Sequence, residues 1–231
     1  MRIKDLNDKY EYVLTEGKIA IGLPKYLKVF KELGKYKIKN YTFNDDASID
    51  VNGDVNLYCK ELTILPIKFR NVSGSFNCGE NKLKSLEGCP EEVGGYFNCS
   101  HNKLKSLKGG PKTVGSSFEC DYNKLISLEG SPKTVGGGFD CSSNKLISLE
   151  GCTEDLIFNF DCSFNNLTSL KGSPKTVGID FTCYGNKITS LKGAPKKVGG
   201  SFNCLFNKLK SLDGIGKVGG NIMSDFWSIY I

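Results

Sequence analysis

From Val72 onward the apolar positions recur in one fixed order. Phe and Cys stand two apart, Asn follows the Cys by three, Leu-x-Ser-Leu comes next, and Gly, Pro and Val lead into the following copy. The stretch Val93 to Pro111, V-G-G-Y-F-N-C-S-H-N-K-L-K-S-L-K-G-G-P, is one complete statement of it. Cys78, Cys99, Cys120, Cys141, Cys162, Cys183 and Cys204 are spaced 21 residues apart (99 − 78 = 21) with no insertion. Such a period marks a solenoid, in which no unit can bury its apolar face alone and each must stack on its neighbours.

The alternation in Phe-x-Cys predicts a short strand with Phe97 and Cys99 inward and Tyr96, Asn98 and Ser100 outward. Asn stands at one offset in seven units: Asn81, Asn102, Asn123, Asn144, Asn165, Asn186 and Asn207. There the chain must leave the sheet, and a stacked amide can satisfy turn groups in adjacent coils. Leu104 and Leu107 then return inward, Gly109 and Pro111 bend the chain and suppress helix, and Val114 opens the next coil.

Residues 1–45 do not repeat. Pro24 to Gly34 reads as a helix with Pro in the first turn, Tyr26, Leu27, Phe30 and Leu33 on one side, and Gly34 as its stop. A shorter helix is expected over Asp5 to Val13. This segment is expected to cover the first coil, because an uncapped solenoid exposes both core and strand edge; the alternative is a separate docking or effector element. Residues 46–71 read as a divergent capping rung, with Leu57 and Cys59 in the Phe and Cys places and Leu62 in the Asn place. The array proper is 72–231, with a C-terminal cap from about 218, where Ile222 and Ser224 replace Phe and Cys and Trp227 takes the Asn place.

The phrase F-N-C-S-H-N-K-L resembles the leucine-rich repeat family, with Phe and Cys at the strand core as its departures. That resemblance implies an α/β solenoid, mostly β: a leucine-rich repeat horseshoe with one parallel strand per 21-residue coil, a non-helical convex side and a short helical N-terminal cap. The fuller phrase S-L-x-G-x-P-x-x-V-G-G-x-F-x-C-x-x-N is similar to repeat proteins of tailed bacteriophages and some bacteria. So is the lead-in from Ser48 to Leu57 followed by Leu65 to Phe69. A viral source is implied, and with it a host protein of an antiviral defence system as the target.

Composition narrows the reading further. The start of the chain has no apolar core or cleavage site of a secretion signal, and no apolar run is long enough to span a membrane, so a cytoplasmic protein is expected. Seven of the ten cysteines occupy the inward repeat position. Parallel rungs hold their Cβ atoms roughly 5 Å apart, beyond the ~3.8 Å of a disulfide, so free thiols are expected. With one histidine, no C-x-x-C pair, no phosphate-binding loop and no dinucleotide fingerprint, neither catalysis nor a cofactor is expected. The net charge of +6 is carried largely by Lys after the Asn and after the Pro. Those rows fall on the flank and convex side, away from the aromatics that would have to stack on bases, so nucleic-acid binding is a weaker alternative.

Function falls to the outward positions that vary. On the strand face these mix aromatics with carboxylates. The candidate partner-binding residues are Tyr96, His101, Glu119, Asp121, Tyr122, Asp140, Asp161, Phe164, Tyr184 and Phe206. Glu119, Asp140 and Asp161 fall at equivalent places in successive rungs, where their mutual repulsion would be relieved by a basic partner. Aromatics on an extended rigid face are typical anchors for a protein. A cation held by the three carboxylates is disfavoured, because the aspartate-glycine nonapeptides of calcium-binding β-rolls are missing. The other alternative is a structural or self-assembling module, associating through the apolar C-terminal stretch Phe226 to Ile231.

Overall fold

The structure, a computed structural model, describes residues 23–225. The expected Asp5 to Val13 helix and the C-terminal stretch with Phe226 and Trp227 lie outside them. Over the described residues the chain forms a parallel β-solenoid of about eight turns with 21-residue repeats.

Each coil contributes two short strands, which corrects the expectation of one. The first is Phe-x of the Phe-x-Cys motif. Nine such strands, from Val55–Asn56 to Ile222–Met223, form one continuous sheet in chain order. The second is the residue pair ending in the lead-in Val, as in Glu92–Val93 and Thr113–Val114, which pair in parallel with the same one-coil offset. A strand of two residues is too short for alternation to reveal it, so Val-Gly-Gly reads from sequence only as a lead-in.

This second ladder is interrupted. One sheet of six strands ends at Thr134–Val135, and a separate sheet of four begins at Asp155–Leu156. The cause is local. In the row after Val, Gly115, Gly136 and Gly199 pass so close to the preceding coil that an added Cβ would lie 2.1, 2.2 and 2.0 Å from the backbone oxygen below. Ile157 puts a side chain into that row at the point where the second ladder breaks, while the Phe sheet continues through Phe139 and Phe160.

Between the ladders lies a core of repeated layers. Phe76, Phe97, Phe118, Phe139, Phe160, Phe181 and Phe202 are buried, with neighbouring centroids 4.9 to 5.6 Å apart. The seven repeat cysteines are buried beside them, and all ten cysteines are free. The thiols also bridge coils: Cys99, Cys141 and Cys204 Sγ donate to the carbonyls of Glu119, Asp161 and Met223 at 3.3 to 3.4 Å.

The Asn row works as expected, and it acts on the coil before its own. Asn102 Nδ2 donates to Cys78 O at 3.0 Å, Cys99 O at 3.1 Å and Ser100 O at 3.2 Å, while its Oδ1 accepts from Leu83 N at 2.8 Å. The same four-way connection recurs around Asn123, Asn144, Asn165 and Asn186. Every polar group of a buried amide is thereby used, which is what burial demands.

At the N-terminal side, α1 (Leu23–Lys35) contains the expected helix and packs Leu33, Phe30 and Tyr26 onto the first coils. Phe43 receives Tyr26 and Phe30 edge-on, with both centroids at 5.2 Å. Gly34 does not stop the helix, which corrects the expectation. The stop is Lys37 in the left-handed region at φ 55°, with Ile38 N bonded to Leu33 O at 3.0 Å, the six-to-one bond of a Schellman turn. Then β1 (Tyr41–Phe43) pairs antiparallel with β2 (Ile49–Val51) and covers the open edge of the second ladder.

The register of the first coil also needs correction. Val55, not Leu57, pairs with Phe76, so Leu57 holds the Cys place, Lys60 the Asn place and Leu62 the place of Leu83. Cys59 is exposed and takes the turn position instead. Burial at the Cys place requires only a compact apolar side chain, and Leu57 meets that requirement with the full 21-residue spacing kept (78 − 57 = 21).

Candidate functional site

The nine-stranded sheet presents four rows of outward residues, and the candidate residues fall into all four. The residue before Phe gives Tyr96, Ser117, Gly138, Asn159 and Asp180. The residue after Phe gives Asn98, Glu119, Asp140, Asp161 and Thr182. The residue after Cys gives Ser100, Asp121, Ser142, Ser163 and Tyr184. The next gives Glu80, His101, Tyr122, Ser143, Phe164, Gly185 and Phe206.

The last row is a line of turns in the left-handed region. Glu80, His101, Tyr122, Ser143, Phe164 and Phe206 have φ between 49° and 55°, and Gly185 has φ 65°. Side chains with a Cβ pay roughly 1–2 kcal/mol for this conformation, and bulky rings adopt it rarely. Four of the seven residues are nevertheless aromatic, and their rings meet. His101 and Tyr122 stack with centroids 4.3 Å apart and planes 10° from parallel. Phe164 meets Tyr184 edge-on at 5.1 Å, and Tyr184 meets Phe206 at 4.9 Å. Tyr122, Phe164 and Phe206 remain 55%, 58% and 62% exposed. The sequence carried one signal of this geometry, the Tyr-Gly-Asn at Gly185, where the same place is filled by the residue that adopts positive φ freely.

The carboxylates lie beside this ridge. Glu119, Asp140 and Asp161 are in direct register across three strands, as their spacing implies. Asp140 and Asp161 each accept the backbone N–H of the Ser two residues on, at 2.8 Å, and so close the turn into the ridge. Glu119 accepts from Asn98 Nδ2 at 2.7 Å, and Asp121 accepts from Ser100 Oγ. Among the described residues, no Lys or Arg forms an ion pair with any of these four. Burial pushes the Asp140 carboxyl up to about 6, against the pull of its Ser142 hydrogen bonds and with the charges of Asp161 and Asp121 adding to it. Glu119 is raised for the same first reason, with Asp121 second.

Two observations concern residues that sequence reasoning passed over. Ser163, 4% exposed and between Asp161 and Phe164, has no hydrogen-bond partner for its Oγ. Gly138 is one of the residues lining a depression, with Ser117, Glu119, Asp140, Asn159, Asp161, Asp180 and Thr182. Tyr96 stands in the row of Gly138, away from the ring clusters, and is 39% exposed. His101 also lies near Glu80, with Nδ1 3.6 Å from Oε1.

Lys82, Lys112 and Lys175 of the flank rows form ion pairs with Glu one coil before, and Lys108 and Lys171 form others outside those rows. Lys82 pairs with Glu61, Lys112 with Glu91 at 2.5 Å, Lys108 with Glu129 at 2.9 Å, Lys171 with Glu150 at 2.8 Å and Lys175 with Glu154 at 2.5 Å. Among the described residues no group of three or more His, Cys, Asp or Glu is arranged to hold a metal ion, and no helix is long and apolar enough to cross a membrane. No protein-family model, curated protein or solved structure matches the chain.

Proposed function

We propose that this solenoid is a non-catalytic binding protein whose nine-stranded face grips a protein partner. The observation that carries the reading is the ridge: exposed rings held in left-handed turns and paired with one another, where the fold asks only for small or flexible residues. Backbone strain kept at one row of a repeat is a mark of selection for what that row displays. Rings fixed by their neighbours lose little freedom on binding and supply large contact areas.

The buried repeat thiols support a non-catalytic reading, since burial pushes Cys99, Cys120, Cys141, Cys162 and Cys183 well above the range in which a thiolate forms. The finer assignment, to leucine-rich repeat proteins of the tailed-bacteriophage type acting in the host cytoplasm on an antiviral defence protein, is part of the proposal. It is supported by the repeat phrase and by the Asn row.

The test is affinity capture from bacterial lysate with the wild-type chain and with the Tyr122→Ala, Phe164→Ala double variant. Capture by the wild type and its loss in the variant supports the reading. Equal capture by both overturns it.

A further inference from the structure

We infer that an extended acidic segment of a protein partner pairs with the bare edge of the nine-stranded sheet, at β3 (Val55–Asn56), and is held there as an added strand. The site is the end of the sheet and not the ridge, so the two stand or fall separately.

The fold treats its two N-terminal sheet edges differently. The second ladder has its edge covered, because β1 pairs antiparallel with β2. On the nine-stranded sheet, β3 pairs only with Phe76–Asn77 of the next coil. Val55 N and Leu57 N donate to Ser75 O and Asn77 O at 2.8 and 2.7 Å. Successive residues of a strand turn their backbone groups to opposite sides, so the N–H and C=O of Asn56 face the open side. Among the described residues no strand stands there. An uncovered edge with its donor and acceptor in place is a template for an incoming strand.

A cleft of about 590 Å³ lies beside that edge, between the end of α1 with Lys35, Tyr36 and Lys37 and the first coil with Asn56, Tyr58 and Lys60. Its charge is one-sided. Against the three lysines stands a single lining carboxylate, Asp54, which already accepts the Ser75 N–H at 2.7 Å. Among the described residues Lys37 and Lys60 form no ion pair, and Lys35 has Glu32 at 3.9 Å. Lys37 carries a further mark. It holds the left-handed position after the helix at φ 55°, where glycine is the usual residue, so a lysine is kept there at the expense of backbone strain.

Lysines beside an edge deter pairing with basic strands, a second copy of this chain among them. Carboxylates on the incoming strand turn that barrier into attraction. Tyr58, 46% exposed, and Tyr36 offer ring surface to the residues that alternate with those carboxylates.

The probes are fluorescently labelled peptides of Thr-Glu repeats, of Thr-Lys repeats, and of Thr-Glu repeats methylated on every backbone nitrogen, titrated into the full chain and followed by anisotropy. Thr-Glu should bind, Thr-Lys should not, and the methylated peptide, with the charge but no N–H, should bind roughly tenfold more weakly or worse. Bound Thr-Glu should also slow the reaction of Cys59, which lines the cleft, with a thiol reagent. Lys37→Glu with Lys60→Glu should weaken Thr-Glu by roughly tenfold or more, and Tyr122→Ala with Phe164→Ala should leave it unchanged. Asn56→Pro, which removes the outward N–H, should weaken it in a chain whose circular dichroism is unaltered. No binding of Thr-Glu, equal binding of either other peptide, an unaltered affinity in the lysine variant, or an unprotected Cys59 would each overturn the inference. So would an equal loss in the Tyr122, Phe164 variant, a single-stranded oligonucleotide that binds more tightly than Thr-Glu and protects Cys59, or a dimer of the chain alone that Asn56→Pro returns to monomer. Loss of the ridge reading in lysate capture, with these peptide results intact, leaves the edge site standing.

Discussion

The ring of Phe164 lies against Gly185. A Cβ at residue 185 would stand 3.0 Å from Phe164 Cδ1 and 3.2 Å from Cε1, on a backbone at φ 65°. One coil gives up its side chain so that the ring of the coil before it can lie flat and reach Tyr184, with centroids 5.1 Å apart. Gly185→Ala should therefore cost about 1 kcal/mol of stability, from the positive φ. It should also push Phe164 out of its cluster. Thermal unfolding checks the first effect and partner capture the second: a modest fall in melting temperature with a clear loss of capture is expected, and unchanged capture would show that the cluster is not used.

The Asn row predicts a larger effect. Asn144 Nδ2 donates to Cys120 O at 3.0 Å, Cys141 O at 3.2 Å and Ser142 O at 3.0 Å, and Oδ1 accepts from Leu125 N at 3.0 Å. Asn144→Ala removes these partners from Cys120 O, Cys141 O and Leu125 N, while Ser142 O keeps the Tyr122 N–H at 3.2 Å, and should destabilise the array by on the order of 2–4 kcal/mol. Asn207→Ala, in a half-buried coil near the end of the stack, should cost less, because fewer coils depend on it. Denaturant unfolding of the two variants should rank them in that order.

Asp140 sets a pH dependence whose sign is fixed by the direction of its shift. Its carboxyl is raised from 3.8 to about 6 by burial, so between those values the folded chain binds a proton that the unfolded chain releases. Its contribution to stability is complete below 3.8 and is lost as pH rises through about 6. Asp46 and Glu91, held low by Lys68 and Lys112, act the other way and lose their contribution on acidification. Asp140→Asn keeps the turn to Ser142, since Asn98 makes the same bond to Ser100 at 2.8 Å. The variant should be more stable than wild type at pH 7 by on the order of 1–2 kcal/mol, and the two should converge near pH 4. Thermal melts across that window test it; a variant less stable at pH 7 would refute the account of this carboxylate.

Thiol reactivity separates Cys59 from the rest. It is exposed in the first turn of the ridge row, while the seven repeat cysteines and Cys89 are buried and Cys152 is half-buried with its thiol pushed up by burial. Even at the thinner end of the stack burial pushes the Cys204 thiol up to about 11. A colorimetric thiol reagent should find one fast cysteine in the native chain and the buried ones only after denaturant, and Cys59→Ser should remove the fast phase. Several fast thiols would mean that the core layers open far more readily than their packing implies.

The parts of the fold written in repetition were legible, and those set by single close approaches were not. Phe97, Cys99, Asn102 and Leu104 could be placed because burial selects one residue type per position in coil after coil. The second strand escaped notice because Glu92–Val93 is two residues long. The ladder break coincides with Ile157, in a row where the other coils carry glycines too close to the preceding backbone for an added Cβ, and that closeness is not written in the sequence. Cys59 misled because its identity matched the repeat while its environment did not; Leu57 is the buried residue. At the site, the register of Glu119, Asp140 and Asp161 followed from spacing alone. That His101 would stack on Tyr122, and Phe164 meet Tyr184 edge-on, depends on left-handed turns that ordinary propensity assigns to Gly and Asn.

The most direct test of the binding face replaces Tyr122, Phe164 and, as a control, Ile147 one at a time with the photoreactive p-benzoylphenylalanine, followed by irradiation in bacterial lysate. Ile147 is 66% exposed but lies in the Leu-x-Ser-Leu stretch, away from the ridge. The account predicts one shared crosslinked partner from positions 122 and 164 and none from 147. Crosslinking from 147 alone, or the same partner from all three positions with equal yield, would contradict it.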